Sequence, residues 1–113
     1  MDLESDGAIL RIRRTAEPSG LRVEGEIDAT TVNELSKALA AAIQAGDGDI
    51  RVNLGAVTFI DLAGLRVLAE AASGLSGGRA LVLSPLPGHV GHLIRLVGWD
   101  AVPGLRLAAE EDR

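Results

Sequence analysis

The sequence contains no cysteine and no tyrosine, and its only aromatic residues are Phe59 and Trp99. The absence of cysteine excludes disulfide bonds, thiol nucleophiles and thiolate metal sites, and it fits the reducing cytosol. With two aromatic side chains in the chain, stacking platforms for bases or sugars are not expected. A core must therefore be built from leucine, valine, isoleucine and alanine.

Positive charge and long apolar runs are also scarce. The formal net charge is −5 and the isoelectric point is about 4.9, which disfavours binding to phosphate backbones or anionic membrane surfaces. The first ten residues are acidic where a signal peptide would be basic, and no apolar run approaches membrane-spanning length. We expect a cytoplasmic protein that neither binds nucleic acid nor inserts into a membrane.

The apolar residues that are present suffice for one core. Of 113 residues, 47% are hydrophobic, and the mean hydropathy is +0.24. This length and composition predict a single domain over residues 1–113. Residues 1–7 and 109–113 are predicted to be flexible tails.

Hydrophobic periodicity predicts alternating strands and helices. The predicted helices repeat their apolar residues at helical spacing and span residues 31–45, 62–73 and 90–97. The predicted strands span residues 8–14, 21–27, 49–54, 79–83 and 105–108. The first two strands read as a hairpin, and the run at 79–83 is typical of a central strand covered on both faces. The order ββαβαβαβ predicts an α/β domain with a mixed, largely parallel sheet covered by helices.

The most informative segment, residues 52–68, joins an apolar strand directly to a helical pattern. A side chain at this junction lies at a helix N-terminus, where free backbone N–H groups and the positive end of the helix dipole converge. Such a position suits an acidic partner or a phosphorylated hydroxyl. Position 63, where such a hydroxyl would act as a switch, holds alanine.

Several segments of the chain, taken together, resemble the STAS domain, the fold of anti-sigma-factor antagonists and of the cytoplasmic domains of sulphate transporters. The resemblance covers essentially the whole chain and is carried by residues 21–28, 52–54, 59–61, 64–65, 84–85 and 93–98. No single piece is decisive, and the order and spacing of the pieces make the match specific.

In the antagonist branch of that family the junction reads Asp-Ser-Ser-Gly or a close variant, and the partner kinase phosphorylates the second hydroxyl residue. The matching positions here are Asp61, Leu62, Ala63 and Gly64, so the scaffold is similar and the phosphoacceptor is missing. The resemblance implies an anti-sigma factor of the serine-kinase type as the partner, with any ATP or ADP bound by that partner. Without the acceptor, either the chain stays in the binding-competent state or its partners differ.

The resemblance also places the loop at residues 28–31 beside the junction. The predicted partner-binding residues are Asp28, Thr30, Thr31, Thr58, Asp61, Leu62, Ala63, Gly64 and Arg66. Several have a structural alternative. Asp61 can cap the helix, contact a partner or do both, and Gly64 can either allow close packing of helix on strand or contact a partner. The polar residues of the loop can equally form a capping cluster.

Other polar clusters give no catalytic or metal site. His89 and His92 are too few ligands for zinc and lack a nearby carboxylate, so surface positions are expected. Residues 47–49, Asp-Gly-Asp, lack the remaining ligands of a calcium loop and are read as a turn. No nucleophile elbow or phosphate-binding glycine loop occurs, so we expect a protein that is not an enzyme and uses no cofactor.

Two functions remain open from the sequence. The first is a protein-binding module, an anti-sigma-factor antagonist that releases a sigma factor and lacks the usual phosphoacceptor. The second is a STAS-type scaffold or accessory subunit of a signalling or lipid-transport assembly, for which no switch is needed. In either case we expect a monomer or weak dimer, and another hydroxyl such as Thr58 can serve as the phosphorylation site.

Overall fold

The structure, a computed structural model, describes residues 2–6, 9–16 and 19–109. Within them, strands and helices follow one another as β1 (Asp2–Asp6), β2 (Leu10–Ala16), β3 (Ser19–Ile27), α1 (Val32–Ala45), β4 (Ile50–Ile60), α2 (Leu62–Ser73), β5 (Leu81–Leu86), α3 (Gly88–Leu96) and β6 (Leu105–Ala109). A single 3-10 turn, Trp99–Ala101, lies between α3 and β6. Gly46 and Gly74 follow the last residues of the first two helices, Gly46 in an extended and Gly74 in a right-handed helical conformation.

The strands form one sheet in the order β1-β2-β3-β4-β5-β6. The first three strands pair antiparallel, and β3 to β6 pair parallel. Each parallel connection contains a helix and advances by one strand in the same direction across the sheet. Because such crossovers are right-handed in nearly all proteins, repeated crossovers in one direction place their helices on one face.

The burial of the strands agrees with this arrangement. On β3, Leu21 and Val23 are buried while Arg22 between them is exposed, and the register partners Val52 and Leu83 are buried on the same face. The buried helix residues that meet this face include Leu35, Leu39, Leu65, Leu68, Val90 and Ile94. One core therefore lies between the sheet and the helices, and the opposite face of the sheet carries no helix.

The predicted fold class is confirmed, with two corrections to its elements. Asp2–Asp6, expected within a flexible tail, forms the edge strand β1, so the order becomes βββαβαβαβ. Its acidic sequence lacks an apolar alternation, and it joins the sheet through backbone pairing with β2. β4 continues to Ile60 instead of ending at residue 54. Of the tail expected at 109–113, residues 110–113 lie outside the described residues, and Ala109 ends β6.

The expectation that the strand at 79–83 is covered on both faces is also corrected. β5 is central because strands flank it on both edges, and only one of its faces meets the helices. On the other face, Val82 is half-buried between the register partners Arg51 and Arg106, both exposed. The continuous apolar run therefore reflects a central place in the sheet rather than two helix layers.

Candidate functional site

The junction between β4 and α2 begins with Asp61, which caps the helix. Its backbone is extended, and its Oδ1 atom accepts a hydrogen bond from the Gly64 N–H at 3.1 Å. A carboxylate in this position satisfies one of the free N–H groups of the first turn and lies at the positive end of the helix dipole. Asp61 is half-buried, so part of its side chain also remains accessible beside the cap.

The loop between β3 and α1 is held together by its own polar side chains. Asp28 Oδ1 accepts hydrogen bonds from the Thr30 hydroxyl at 2.7 Å and the Thr30 N–H at 2.8 Å. The buried Thr31 hydroxyl accepts from the Asp28 N–H and donates to the Glu26 carbonyl oxygen, both at 3.0 Å. The Thr30 hydroxyl, followed by the Thr30 N–H, lowers the pKa of Asp28 because both bonds stabilise the carboxylate.

The two segments meet at the carboxyl ends of β3 and β4. Ile27 is the register partner of Ile60, and the Asp61 N–H donates to the Ile27 carbonyl oxygen at 3.1 Å. Asp28 and Asp61 each follow directly after their strand, so both carboxylates lie at the same edge of the sheet. The starts of α1 and α2 are therefore side by side, with negative charge at both.

Gly64 lies buried beneath this edge. A Cβ atom at this position would lie 2.5 Å from Ile27 Cγ2 and 2.8 Å from Ile60 Cγ1. Only glycine lets the first turn of α2 approach the two isoleucines this closely, since real Cβ contacts are much longer. Gly64 therefore allows α2 to pack closely on the sheet, which is one of the two roles considered for it.

A shallow groove opens between the first turns of α1 and α2. We call it the junction groove. Its volume is about 390 Å³, and it is lined by Val32, Leu62, Ala63, Arg66 and Val67. Leu62 is 53% exposed, a high value for a leucine. The lining is apolar except for the exposed Arg66 guanidinium and contains no nucleophile or acid–base pair. Such a surface can bind apolar side chains but offers no group for catalysis.

The structure brings together some of the predicted site residues and separates another. Leu62, Ala63 and Arg66 share the junction groove. Thr58 lies elsewhere: its hydroxyl donates to the Gly25 carbonyl oxygen at 3.3 Å. Thr58 lines a separate depression together with Ile9, Leu10, Arg11, Glu24, Gly25 and Ala56.

Two apolar residues of the junction groove, Val32 and Val67, are not among the predicted site residues. Val32 belongs to the apolar repeat that predicts α1, yet it is half-buried and lines the groove. Phe59 is 49% exposed at the end of β4, two residues before Asp61.

The other polar clusters give no site. His89 and His92 are exposed on α3, and across residues 2–6, 9–16 and 19–109 no group of three or more metal-ligating side chains occurs. Asp49 accepts a hydrogen bond from the Ala80 N–H at 2.8 Å, so the acidic turn after α1 contacts the segment just before β5. None of the helices in the described parts of the chain is long and apolar enough to cross a membrane.

Fold and surface together define a small α/β module with an apolar groove at one edge of its sheet. Residues 10–107 match the family model described as Mlab, STAS domain, and the chain belongs to the STAS family. Among solved structures it is similar to an anti-sigma factor antagonist from Mycobacterium paratuberculosis, with 26% identity and a TM-score of 0.65. The match covers 92% of this chain and 81% of that one. No curated protein matches the chain.

Proposed function

We propose that this chain is an anti-sigma-factor antagonist that acts in the cytoplasm by docking its junction groove onto an anti-sigma factor. The observation that carries the proposal is the apolar groove around Ala63, which lies at a helix N-terminus next to Asp61. The similarity to the antagonist from Mycobacterium paratuberculosis supports the same function. Docking would release a sigma factor and so regulate transcription indirectly.

The groove supplies apolar contact at its centre and charge at its rim, which is the usual composition of a protein interface. Burying a side chain of the size of Leu62 or Val32 contributes about 1.5–3 kcal/mol. Asp28 and Asp61 add negative charge at the adjoining edge of the sheet. We therefore expect the partner to present an apolar segment with basic residues beside it.

Ala63 gives this antagonist a particular form of control. We propose a partner of the serine-kinase type, which would bring its own ATP or ADP and find no hydroxyl at position 63. The antagonist would then stay in its binding-competent state, and its amount would set its activity. Incubation with the kinase and ATP should leave the intact mass unchanged. Stoichiometric phosphate on Thr58 or another hydroxyl, with loss of binding, would contradict a constitutive antagonist.

A scaffold or accessory subunit of a signalling or lipid-transport assembly is the second candidate, and Ala63 favours it because a scaffold needs no phosphorylation switch. Co-purification from the source cell distinguishes the two. An anti-sigma factor recovered with the wild-type chain, and lost with a variant carrying Ala63→Glu, supports the antagonist. A transporter or sensor assembly recovered in the same way supports the scaffold.

A further inference from the structure

On β2 to β6, the face of the sheet opposite the helices carries more basic than acidic side chains, although the chain as a whole is acidic. Outward-facing positions on β3, β4 and β6 hold Arg22, Arg51 and Arg106, all exposed, while the chain has a formal net charge of −5. β2 adds Arg11 and Arg13 on the same face, each with an interaction of its own. The acidic side chains that are not buried on β2 to β6 are Glu24 and Glu26, both on β3.

Arg51, at the centre of this face, is held in place by hydrogen bonds to uncharged groups. Its Nε donates to the Ser84 carbonyl oxygen at 3.2 Å and its Nη2 to the Ser84 hydroxyl at 2.8 Å. Within the described residues no carboxylate forms an ion pair with it, whereas Arg22 pairs with Glu24 at 2.8 Å and Arg106 contacts Asp49 at 3.8 Å. A guanidinium has five N–H donors, so a fixed Arg51 retains donors for an incoming acceptor.

Arg51 lines a depression of about 300 Å³ together with Thr15, Leu21, Arg22, Asn53, Ser84 and Pro85. The Asn53 Oδ1 atom accepts from the Gly55 N–H at 2.9 Å, which leaves the amide NH₂ to donate. The depression therefore offers donors and positive charge, the lining that matches a carboxylate.

We propose that this bare sheet face is a second docking surface that binds an acidic segment of a partner protein, with Arg51 contacting its carboxylates. The arginines of β2 to β6 outnumber the acidic side chains beside them, so an acidic segment is complementary in charge. Nucleic acid is disfavoured as the ligand, because the chain has a net negative charge and no aromatic side chain lines the depression. The module would then hold one partner on its helix side and another on its sheet side.

A short fluorescent oligoglutamate peptide tests this surface by anisotropy at low salt. The chain as a whole repels such a peptide, so binding requires a local basic patch. Arg51→Gln should weaken binding about tenfold, because it removes a charge-assisted hydrogen bond. The matched control Lys37→Gln removes the same charge from an exposed position on α1 and should change the affinity less than about twofold. Thermal melts accompany each variant.

If Arg51→Gln does not fold, Arg106→Gln replaces it, since that side chain is 63% exposed and has only a 3.8 Å contact. It should weaken binding about threefold. The proposal is overturned if the wild type does not bind oligoglutamate, or if Lys37→Gln weakens binding as much as the sheet variants. It is also overturned if a single-stranded oligonucleotide or a phosphatidylserine vesicle binds more tightly than the peptide through Arg51.

Discussion

At the scale of single residues, Gly64 and Asp28 set the geometry of the junction in different ways. Gly64 acts through the absence of a side chain, since a Cβ would collide with Ile27 and Ile60. Asp28 acts through its charge, which orders the loop by accepting two hydrogen bonds from Thr30. Neither residue needs a partner to explain its type, although both shape the surface that a partner would meet.

Gly64→Ala should therefore destabilise the protein. The added methyl group must displace two buried isoleucines, and overpacking of a filled core costs about 1–3 kcal/mol. Gly46→Ala is the matched control, because a Cβ there has no atom within 4 Å. Urea denaturation measures both free energies of unfolding. Equal stability of the two variants would mean that α2 does not rest on Ile27 and Ile60 as described.

The lowered pKa of Asp28 predicts a dependence of stability on pH. Because the folded-state pKa lies below the unfolded value, the contribution of Asp28 is complete above the ordinary aspartate pKa of about 3.9 and is lost as the pH falls below it. Asp28→Asn should remove this part of the acid sensitivity. Melting temperatures of both proteins between neutral and acidic pH give the comparison, and parallel curves would exclude a stabilising Asp28 carboxylate.

At the scale of elements, the starts of α1 and α2 form one composite surface. Asp28→Ala and Asp61→Ala should both weaken binding of the co-purified partner, whereas His89→Ala and His92→Ala on α3 should not. Asp61→Ala should also cost about 1 kcal/mol of stability through the lost cap, while Asp61→Asn keeps an acceptor for the Gly64 N–H. Melting temperatures are measured alongside the affinities. Equal binding by all four alanine variants would contradict a partner-binding surface at the starts of α1 and α2.

The elements that could be predicted are those with a strong apolar period. α2 is found with the predicted bounds because its core positions, Leu65, Leu68 and Ala72, recur at helical spacing. β1 was not predicted because its acidic sequence does not alternate apolar and polar residues. Backbone pairing, which joins it to the sheet, produces no recognisable sequence pattern. β4 was predicted too short because Gly55 and Ala56 interrupt its apolar alternation, although the strand continues past them.

The part of the candidate site that could be predicted is the part whose residues are neighbours in the sequence. Asp61 to Arg66 are consecutive residues that form the cap and the start of α2, so the sequence is enough to group them. Val32 joins them only because α1 packs beside α2, a contact between elements that no single-sequence pattern contains. Thr58 was grouped with them by proximity in sequence, yet strand alternation turns it toward Gly25.

At the scale of the whole molecule, the sheet has two unlike faces. The crossovers from β3 to β6 all advance in one direction, which places the helices and the core on one side and leaves the other side without a layer. A core assembled almost entirely from aliphatic residues fills the covered side, and arginines occupy the bare one. If both proposed surfaces bind partners, substitutions at the junction groove and on the bare face should affect them independently.

The central proposal is that a partner covers Ala63, and calorimetric titration of the co-purified partner with Ala63 variants tests it most directly. Ala63→Ser should leave affinity and melting temperature near wild type, since a hydroxyl is tolerated at a helix N-terminus. Ala63→Glu should lower affinity at least about tenfold at unchanged melting temperature, because the helix dipole tolerates a charge that a docked apolar surface does not. Wild-type affinity of the glutamate variant would contradict docking through the junction groove.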